Sequence, residues 1–460
     1  MNANQWNAHS ICSAPWGESI KRILEATLQA VEPAAAIRQH MQRSGSELIV
    51  DGKTYDLSGY RRILLVGAGK AGAPMAGAVA QVLSERITGG LVIVKDGYAG
   101  QASSDVHLPS RQISIVEAGH PVPDKRGVAG ARQIMDLLAG TQPDDLVISL
   151  ISGGGSALLV APAEGLALDD LQSLTSTLLA SGATINEINT LRKHLDQLKG
   201  GGLARLAAHG TLVTLILSDV VGDPLDVIAS GPTVPDPTTF RQAYQVLERY
   251  AIVDQVPQPV LEHLQRGSSG ELPESPKPGD PLFDRVQNVV IGSNRQAARA
   301  AQDQAQQEGF QALLLTTFLQ GEARQAGRIF AAIARQLAAT GEPISRPACI
   351  LAGGETTVTL QGDGSGGRNQ EMALSAVGEL AGLPDIAFIT LATDGGDGPT
   401  DAAGAVVTGE TLPRSHHLGL DPLDYLARND SYHFFAALDD LLRPGPTRTN
   451  VNDLAFLFAF

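Results

Sequence analysis

Lys70 stands inside a glycine-rich turn, Gly67-Ala68-Gly69-Lys70-Ala71-Gly72, that joins the apolar run RILLVG to the segment APMAGAVAQVLSE. A G-x-G-x-x-G between a strand and a helix brings the backbone close to a pyrophosphate. A compact ammonium placed there is a good partner for phosphoryl oxygens. Three readings follow: a dinucleotide site with Asp96 after the next strand as ribose acid, a phosphate site in which Lys70 acts, or a turn whose glycines serve packing. A Walker loop is excluded, because GAGKAG lacks both the four-residue spacer and the Ser or Thr after lysine. A second glycine turn, Ser152-Gly153-Gly154-Gly155-Ser156, ends the run DDLVISLI. Its N–H groups suit an anion, although a flexible strand end has the same composition.

Carboxylates recur where apolar runs end. Asp219 and Asp223 follow TLVTLILS and precede the turn Ser230-Gly231-Pro232-Thr233, and Asp394, Asp397 and Asp401 follow IAFITLAT. Acids at the carboxyl ends of parallel strands can hold Mg²⁺ or accept a hydroxyl proton, whereas Asp-Gly steps also serve turns. Asp401 is read as a turn residue, and Asp219 and Asp394 as functional. Glu355 and Arg368 face each other across the glycine-rich stretch 353–367, where an arginine could grip a carboxylate or phosphate bidentately. Asn450, Asn452 and Asp453 form a turn before an apolar tail, and His120 lies in the loop EAGHPVPD. Neither an H-E-x-x-H pair nor a clear G-x-S-x-G elbow is present, which argues against metalloprotease and acyl-transfer chemistry.

The elements that must position these residues alternate regularly. RILLVG, GGLVIVK, QISIVEAG, DDLVISLI and TLVTLILS read as buried parallel strands, separated by helical segments such as KRGVAGARQIMDLLAG. This is the pattern of a doubly wound α/β sheet. After the Gly-, Pro- and Ser-rich stretch 267–284, read as a linker or surface loop, a second α/β series runs to the C-terminus. Two α/β domains facing each other across a cleft are therefore expected. The 460 residues suffice for two or three domains. With 34 Lys and Arg against 49 Asp and Glu, the net charge is −15, which argues against nucleic acid as a partner. Cys12 and Cys349 form no metal or disulfide pattern, no apolar run would span a membrane, and the N-terminus lacks signal-peptide features. A cytoplasmic protein is expected, with a homodimer as the default assembly.

Taken together, VGAGKA, EAGHPVPD, ISGGGSALL, LSDVVGDPLDVIASGPTVPDPTT, GGETTVTL, GGRNQEMALS, ATDGGDGPTDAAGA and GPTRTNVNDL resemble, in order, the glycerate 2-kinases of the glycerate kinase type-2 family. The resemblance covers the chain from about residue 17 onward. It implies a Rossmann-like N-terminal domain with a parallel sheet over residues 17–266. A smaller C-terminal α/β domain of the MOFRL type would occupy residues 285–460, with the cleft between them. The implied reaction is transfer of the γ-phosphoryl group of ATP to the 2-hydroxyl of D-glycerate, with Mg²⁺ or another divalent cation. By motif, Lys70 and Arg368 are the principal catalytic positions, and Asp219 is assigned as a further acid and metal ligand. Glu355, Asp394 and Asn450 are implied at the substrate. Gly67, Gly69 and residues Ser152 to Ser156 would hold the nucleotide. Arg448 departs from the small residue expected in GPTRTN and alters the rim of the site. The alternatives from other classes are an NAD(P)-dependent hydroxypyruvate reductase, which would need a His–carboxylate pair, and a non-catalytic sensor of small anions.

Overall fold

The computed structural model describes residues 6–99 and 112–460, so the first five residues of the N-terminal stretch lie outside it. The chain divides into two compact units, one formed by residues 33–291 and the other by residues 1–32 together with 292–460.

The inserted unit, 33–291, begins with an antiparallel meander of β1 (Met41–Ser44), β2 (Glu47–Val50) and β3 (Lys53–Asp56). Its main sheet contains β4 (Arg62–Ala68), β5 (Gly89–Lys95), β6 (Ile113–Ala118), β7 (Asp145–Ile151), β8 (Thr211–Leu217) and β9 (Val286–Gly292). The spatial order is β6-β5-β4-β7-β8-β9, and every pairing from β6 to β8 is parallel. Counted from β4, that is the 3-2-1-4-5-6 order of the Rossmann fold, as the strand–helix alternation led us to expect. Every residue of β7 is buried, which explains its mainly apolar run, broken after Asp145 only by Ser149. The helix Gly72–Leu83 has alanine, glycine and valine on nearly all sides, in keeping with its burial. The order of strands reverses between β4 and β7, so the switch point falls where Gly67–Lys70 and Ser152–Ser156 leave the sheet.

The stretch 267–284 is a packed surface segment of this unit. Glu274 accepts hydrogen bonds from the Phe240 N–H at 3.0 Å and approaches His194 at 3.2 Å. Asp236 N–H donates to the carbonyl of Pro276.

The other unit carries a mixed sheet of β10 (Gln311–Leu319), β11 (Ala348–Gly354), β12 (Ile386–Ala392), β13 (Gly404–Thr408), β14 (Leu441–Leu442) and β15 (Asp453–Ala459), in the order β10-β11-β15-β12-β13-β14. The last strand is central and runs antiparallel to both neighbours, with Cys349 opposite Phe458 and Phe388 opposite Leu457. Its core is built from Phe330, Phe388, Phe434 and Leu457. The helix Gly17–Gln29 belongs to this unit, where Arg22 makes a fork to Glu308 at 2.6 and 2.7 Å. Among the described residues no helix is long and apolar enough to cross a membrane.

Candidate active site

In the inserted unit the two glycine turns interlock. The Gly69 N–H donates to the Ile93 carbonyl, the Lys70 N–H to the Gly153 carbonyl at 2.9 Å, and the Ala71 N–H to Ser152 Oγ at 3.0 Å. A Cβ on Gly67 would meet the Leu150 carbonyl at 2.4 Å, and one on Gly69, whose φ is +143°, would meet Ser152 Oγ at 2.1 Å. The first turn therefore uses its glycines to close on β7, and its N–H groups to bond β5 and the second turn. The acid a dinucleotide would require is engaged as well, since Arg126 grips Asp96 bidentately at 2.6 and 2.7 Å. What the first turn presents is the side chain of Lys70, whose ammonium makes no hydrogen bond or ion pair among the described residues.

The second turn is the open one. Gly154 is left-handed (φ 83°, ψ −5°), a conformation that aims successive N–H groups into one concavity. The N–H groups of Gly153, Gly154 and Ser156 find no backbone acceptor among the described residues. Around them stand Asp219, His120 and Lys70. A Cβ on Gly153 would lie 2.3 Å from Asp219 Oδ2, and one on Gly154 would lie 3.0 Å from His120 Nε2 and 3.5 Å from Lys70 Cγ. Burial, and then the charges of Lys70 and Lys95, lower His120 to about 4, so it is a neutral imidazole at pH 7.

A hydrogen-bonded chain fixes the far side of the turn. Ser230 Oγ donates to Asn189 Oδ1 at 2.9 Å, so the Ser156 hydroxyl donates to Ser230 at 2.9 Å. Arg192 Nη1 reaches Ser156 Oγ at 3.5 Å. Asn189 and Arg192 sit on the helix Ile185–His194, whose start is fixed by a Thr184–Glu187 capping box. Ala229 and Ser230 are non-glycine residues with φ of 50° and 61°, a conformation costing about 1–3 kcal/mol each. Backbone bonds from Gly200 to Ser230 and from Gly201 to Gly231 hold that turn in place, and Ala229 would contact a Cβ on Gly155 at 3.0 Å.

The second cluster lies within the other unit. Arg368 opens the helix Arg368–Leu380. It donates through Nε to Asp453 Oδ2 at 2.5 Å and through Nη1 to Glu355 Oε1 at 2.7 Å. Burial opposes the charge of Arg368, but Asp453 and Glu355 outweigh it and hold its pKa above the ordinary arginine range. Burial pushes Asp453 up to about 6 against the pull of Arg368. Asp397, 2% exposed, takes the Asn369 and Gln370 N–H groups at 3.1 and 2.8 Å and so caps the helix that Arg368 begins. Burial raises it to about 7 despite those donors. Asp394 is exposed and accepts from the Gly396 N–H, while Asn450 Oδ1 takes the Asn452 N–H at 3.1 Å. Asp401 is exposed and bonded to the Tyr432 hydroxyl, in line with a structural role. Arg448 takes a left-handed φ of 65°.

Two comparisons with family models match this architecture: a domain of unknown function, DUF4147, over residues 19–265, and the MOFRL family over residues 348–453. The glycerate 2-kinase of Pyrococcus horikoshii is 41% identical over 94% of this chain and 95% of its own. The D-glycerate 2-kinase of Thermotoga maritima is 40% identical over 95% of this chain and 98% of its own. The chain belongs to the glycerate 2-kinase family. A crystal structure of a glycerate kinase from Thermotoga maritima superposes with a TM-score of 0.85 at 39% identity, covering 96% of this chain and 99% of that one.

Against that family frame, the sequence motifs lead to Lys70, Gly153–Ser156 and Asp219 in one cluster, and to Glu355 and Arg368 in the other. Asn189 and Arg192 were missed. Their segment reads as an ordinary helix, and the available signal was a set of polar residues on the face that also carries Ile188 and Leu191. Asn189 is 3% exposed. Asp453 was noticed only as part of a turn, and its pairing with Arg368 spans 85 residues of sequence.

Proposed function

We propose that this protein is an ATP-dependent D-glycerate 2-kinase that forms 2-phosphoglycerate and ADP. The observation that carries the proposal is the open Gly153–Ser156 turn beside an ammonium, Lys70, that has no acidic partner among the described residues. Phosphoryl transfer needs positioning and charge neutralisation more than covalent help from the protein. In our reading the N–H groups of Gly153, Gly154 and Ser156 hold donor phosphates, and Lys70 stabilises the phosphoryl group in transfer. Gly67, Gly69 and Ser152 serve the same turn by locking it against β4.

Asp219, beside Gly153, is assigned a double reading: the carboxylate that orients a divalent cation, or the base for the 2-hydroxyl. Among the described residues no group of three His, Cys, Asp or Glu could hold a metal ion. A single carboxylate fits Mg²⁺ brought in by a nucleotide, because that ion keeps waters and takes phosphate oxygens as its other ligands. Bound there, it would neutralise phosphate charge. Arg368 is assigned to the carboxylate of D-glycerate. Half-buried Glu355 occupies that place on the guanidinium and gives it up to substrate, while buried Asp453 stays and keeps the fork oriented. Asp394 and Asn450 are assigned to the hydroxyl groups of the acid.

The test is incubation with D-glycerate, ATP and Mg²⁺, followed by phosphorus NMR. A 2-phosphoglycerate resonance is expected. A 3-phosphoglycerate resonance would overturn the regiochemistry, and NADH consumption on hydroxypyruvate without a phosphorylated product would overturn the kinase itself.

A further inference from the structure

The inserted unit contains a cavity of about 310 Å³ beside the Gly153–Ser156 turn, within the roughly 300–1,000 Å³ of small-molecule sites. Its walls are mainly apolar, formed by Pro121, Pro123, Val160, Leu174, Leu178 and Leu191. Ser156 and Arg192 line it as well, so it is continuous with the glycine turn. Arg192 is the anomaly. It is partly buried, its only hydrogen bond among the described residues is the 3.5 Å contact to Ser156, and Asp196 attracts it without forming an ion pair there. Asp196, four residues on, is already engaged by Lys199 Nζ at 2.7 Å and by the Ala161 N–H at 3.0 Å. A guanidinium that burial disfavours, and that shares its acid Asp196 with Lys199, has room for an anion.

We propose that this cavity is the nucleoside subsite of the phosphate donor, with Arg192 as the cation at its mouth that holds the donor's phosphates. The inference rests on the kinase reading and extends it to a defined place. A small hydroxy acid is polar on every side and gains little from walls of proline and leucine. A nucleotide instead joins a broad flat body to a polyanion, which matches an apolar cavity opening past Arg192 onto free N–H groups. The polar side chains of the wall are engaged within the protein, Asp196 and Lys199 with each other at 2.7 Å. Gln172 Nε2 donates to the Pro123 carbonyl at 2.7 Å, Thr175 Oγ1 to Leu171 at 2.8 Å, and Ser176 Oγ to Gln172 at 3.0 Å. The base is therefore gripped by contact area, with little reading of its hydrogen-bonding edge. Weak discrimination between purines follows, with Kd values for ADP and GDP within about tenfold of each other.

Calorimetric titration with ADP, GDP and D-glycerate, alongside steady-state kinetics, tests this on the wild type, Arg192→Gln, Arg192→Lys and Thr175→Trp. Thr175 is half-buried in the cavity wall, so an indole there occupies the cavity without opening the core. Arg192→Gln should weaken ADP and raise the KM for ATP by about 10- to 100-fold, and Arg192→Lys should recover part of the loss. Thr175→Trp should weaken ADP by at least about tenfold, with the KM for D-glycerate within about twofold in every variant. A raised KM for D-glycerate with ADP binding unchanged would overturn the assignment and give Arg192 to the acceptor. Unchanged ADP binding in a folded Thr175→Trp would overturn the cavity as its site. Glycerate phosphorylation by a wild type that does not bind ADP would overturn the subsite alone. Tight ADP binding without glycerate phosphorylation would overturn the kinase reading while supporting the subsite.

Discussion

Gly153→Ala separates the chemistry of the glycine turn from its architecture. Gly153 does not lie in the left-handed region, so the backbone accepts alanine. The obstacle is one side chain, since the new methyl would lie 2.3 Å from Asp219 Oδ2 and 2.8 Å from its Cγ. Ordinary contact begins at 3.4 Å, so the carboxylate must withdraw by about 1.1 Å. A flexible carboxylate can do that, and alanine also reduces the entropy of the unfolded chain. Stability should therefore stay within about 1 kcal/mol of wild type. Activity should not survive so well, because misplacing a catalytic group by about 1 Å costs on the order of 100-fold. Gly69→Ala supplies the contrast. At φ +143° its methyl would lie 2.1 Å from Ser152 Oγ and 2.6 Å from the Ser152 carbonyl, which belongs to the backbone and cannot move aside. That variant should lose about 2–5 kcal/mol of stability. The assays are denaturant unfolding and turnover of ATP and D-glycerate. A folded Gly153→Ala with kcat within about threefold of wild type would refute the placement of Asp219 in the reaction.

Lys70→Ala should lower kcat by at least about 100-fold with little change in Tm, since the ammonium has no partner among the described residues to lose; a Tm loss matching the activity loss would make the lysine structural. His120 ties stability to pH. Its folded pKa of about 4 lies below the ordinary value of 6.5, so the unfolded chain takes up the proton first and stability falls as the pH drops from 6.5 towards 4. His120→Gln should shallow that decline in urea titrations, and an unchanged slope would exclude His120 as its source. The thiols should differ in kind. Cys349 is buried in β11 and its pKa is raised by burial, whereas Cys12 is exposed. A chromogenic disulfide reagent should titrate one thiol in the native protein and two after unfolding; rapid reaction of both would show that β11 opens.

Much of the fold was legible because the parallel strands are buried on both faces. LVISLI and LVIVK announce themselves as mainly apolar runs, and their alternation with helices leaves few strand orders open. The C-terminal strand escaped for the opposite reason. LAFLFA is equally apolar, but its partners in β11 and β12 lie far back in the chain, and nothing local says that a tail closes the middle of a sheet. In the helix Gly17–Gln29, Arg22 finds its partner Glu308 at a distance of 286 residues along the chain. Pairings of that kind leave no mark on periodicity.

The glycine motif shows a deeper limit of sequence reading. Glycines that admit a ligand and glycines that admit another strand satisfy the same requirement, backbone close to something with no room for a Cβ. At the switch point both kinds occur side by side. Gly67 and Gly69 meet Leu150 and Ser152, while Gly153 and Gly154 meet Asp219, His120 and Lys70. Spacing alone gave the first turn the look of a dinucleotide cradle, although its N–H groups bind β5 and the second turn. What distinguishes them is where the hydrogen bonds go, a three-dimensional fact. The same accounting exposes Arg192. A buried cation is ordinary when an acid is bonded to it, as Asp196 is to Lys199, and points to a ligand when, like Arg192, it has only a share of an acid already engaged. Lys70, Arg192 and the three N–H groups that find no backbone acceptor among the described residues all favour negative charge in a protein whose net charge is −15. An acidic chain that concentrates uncompensated positive groups at one turn has arranged a local field against its global one, and an anionic nucleotide is the ligand that such an arrangement selects.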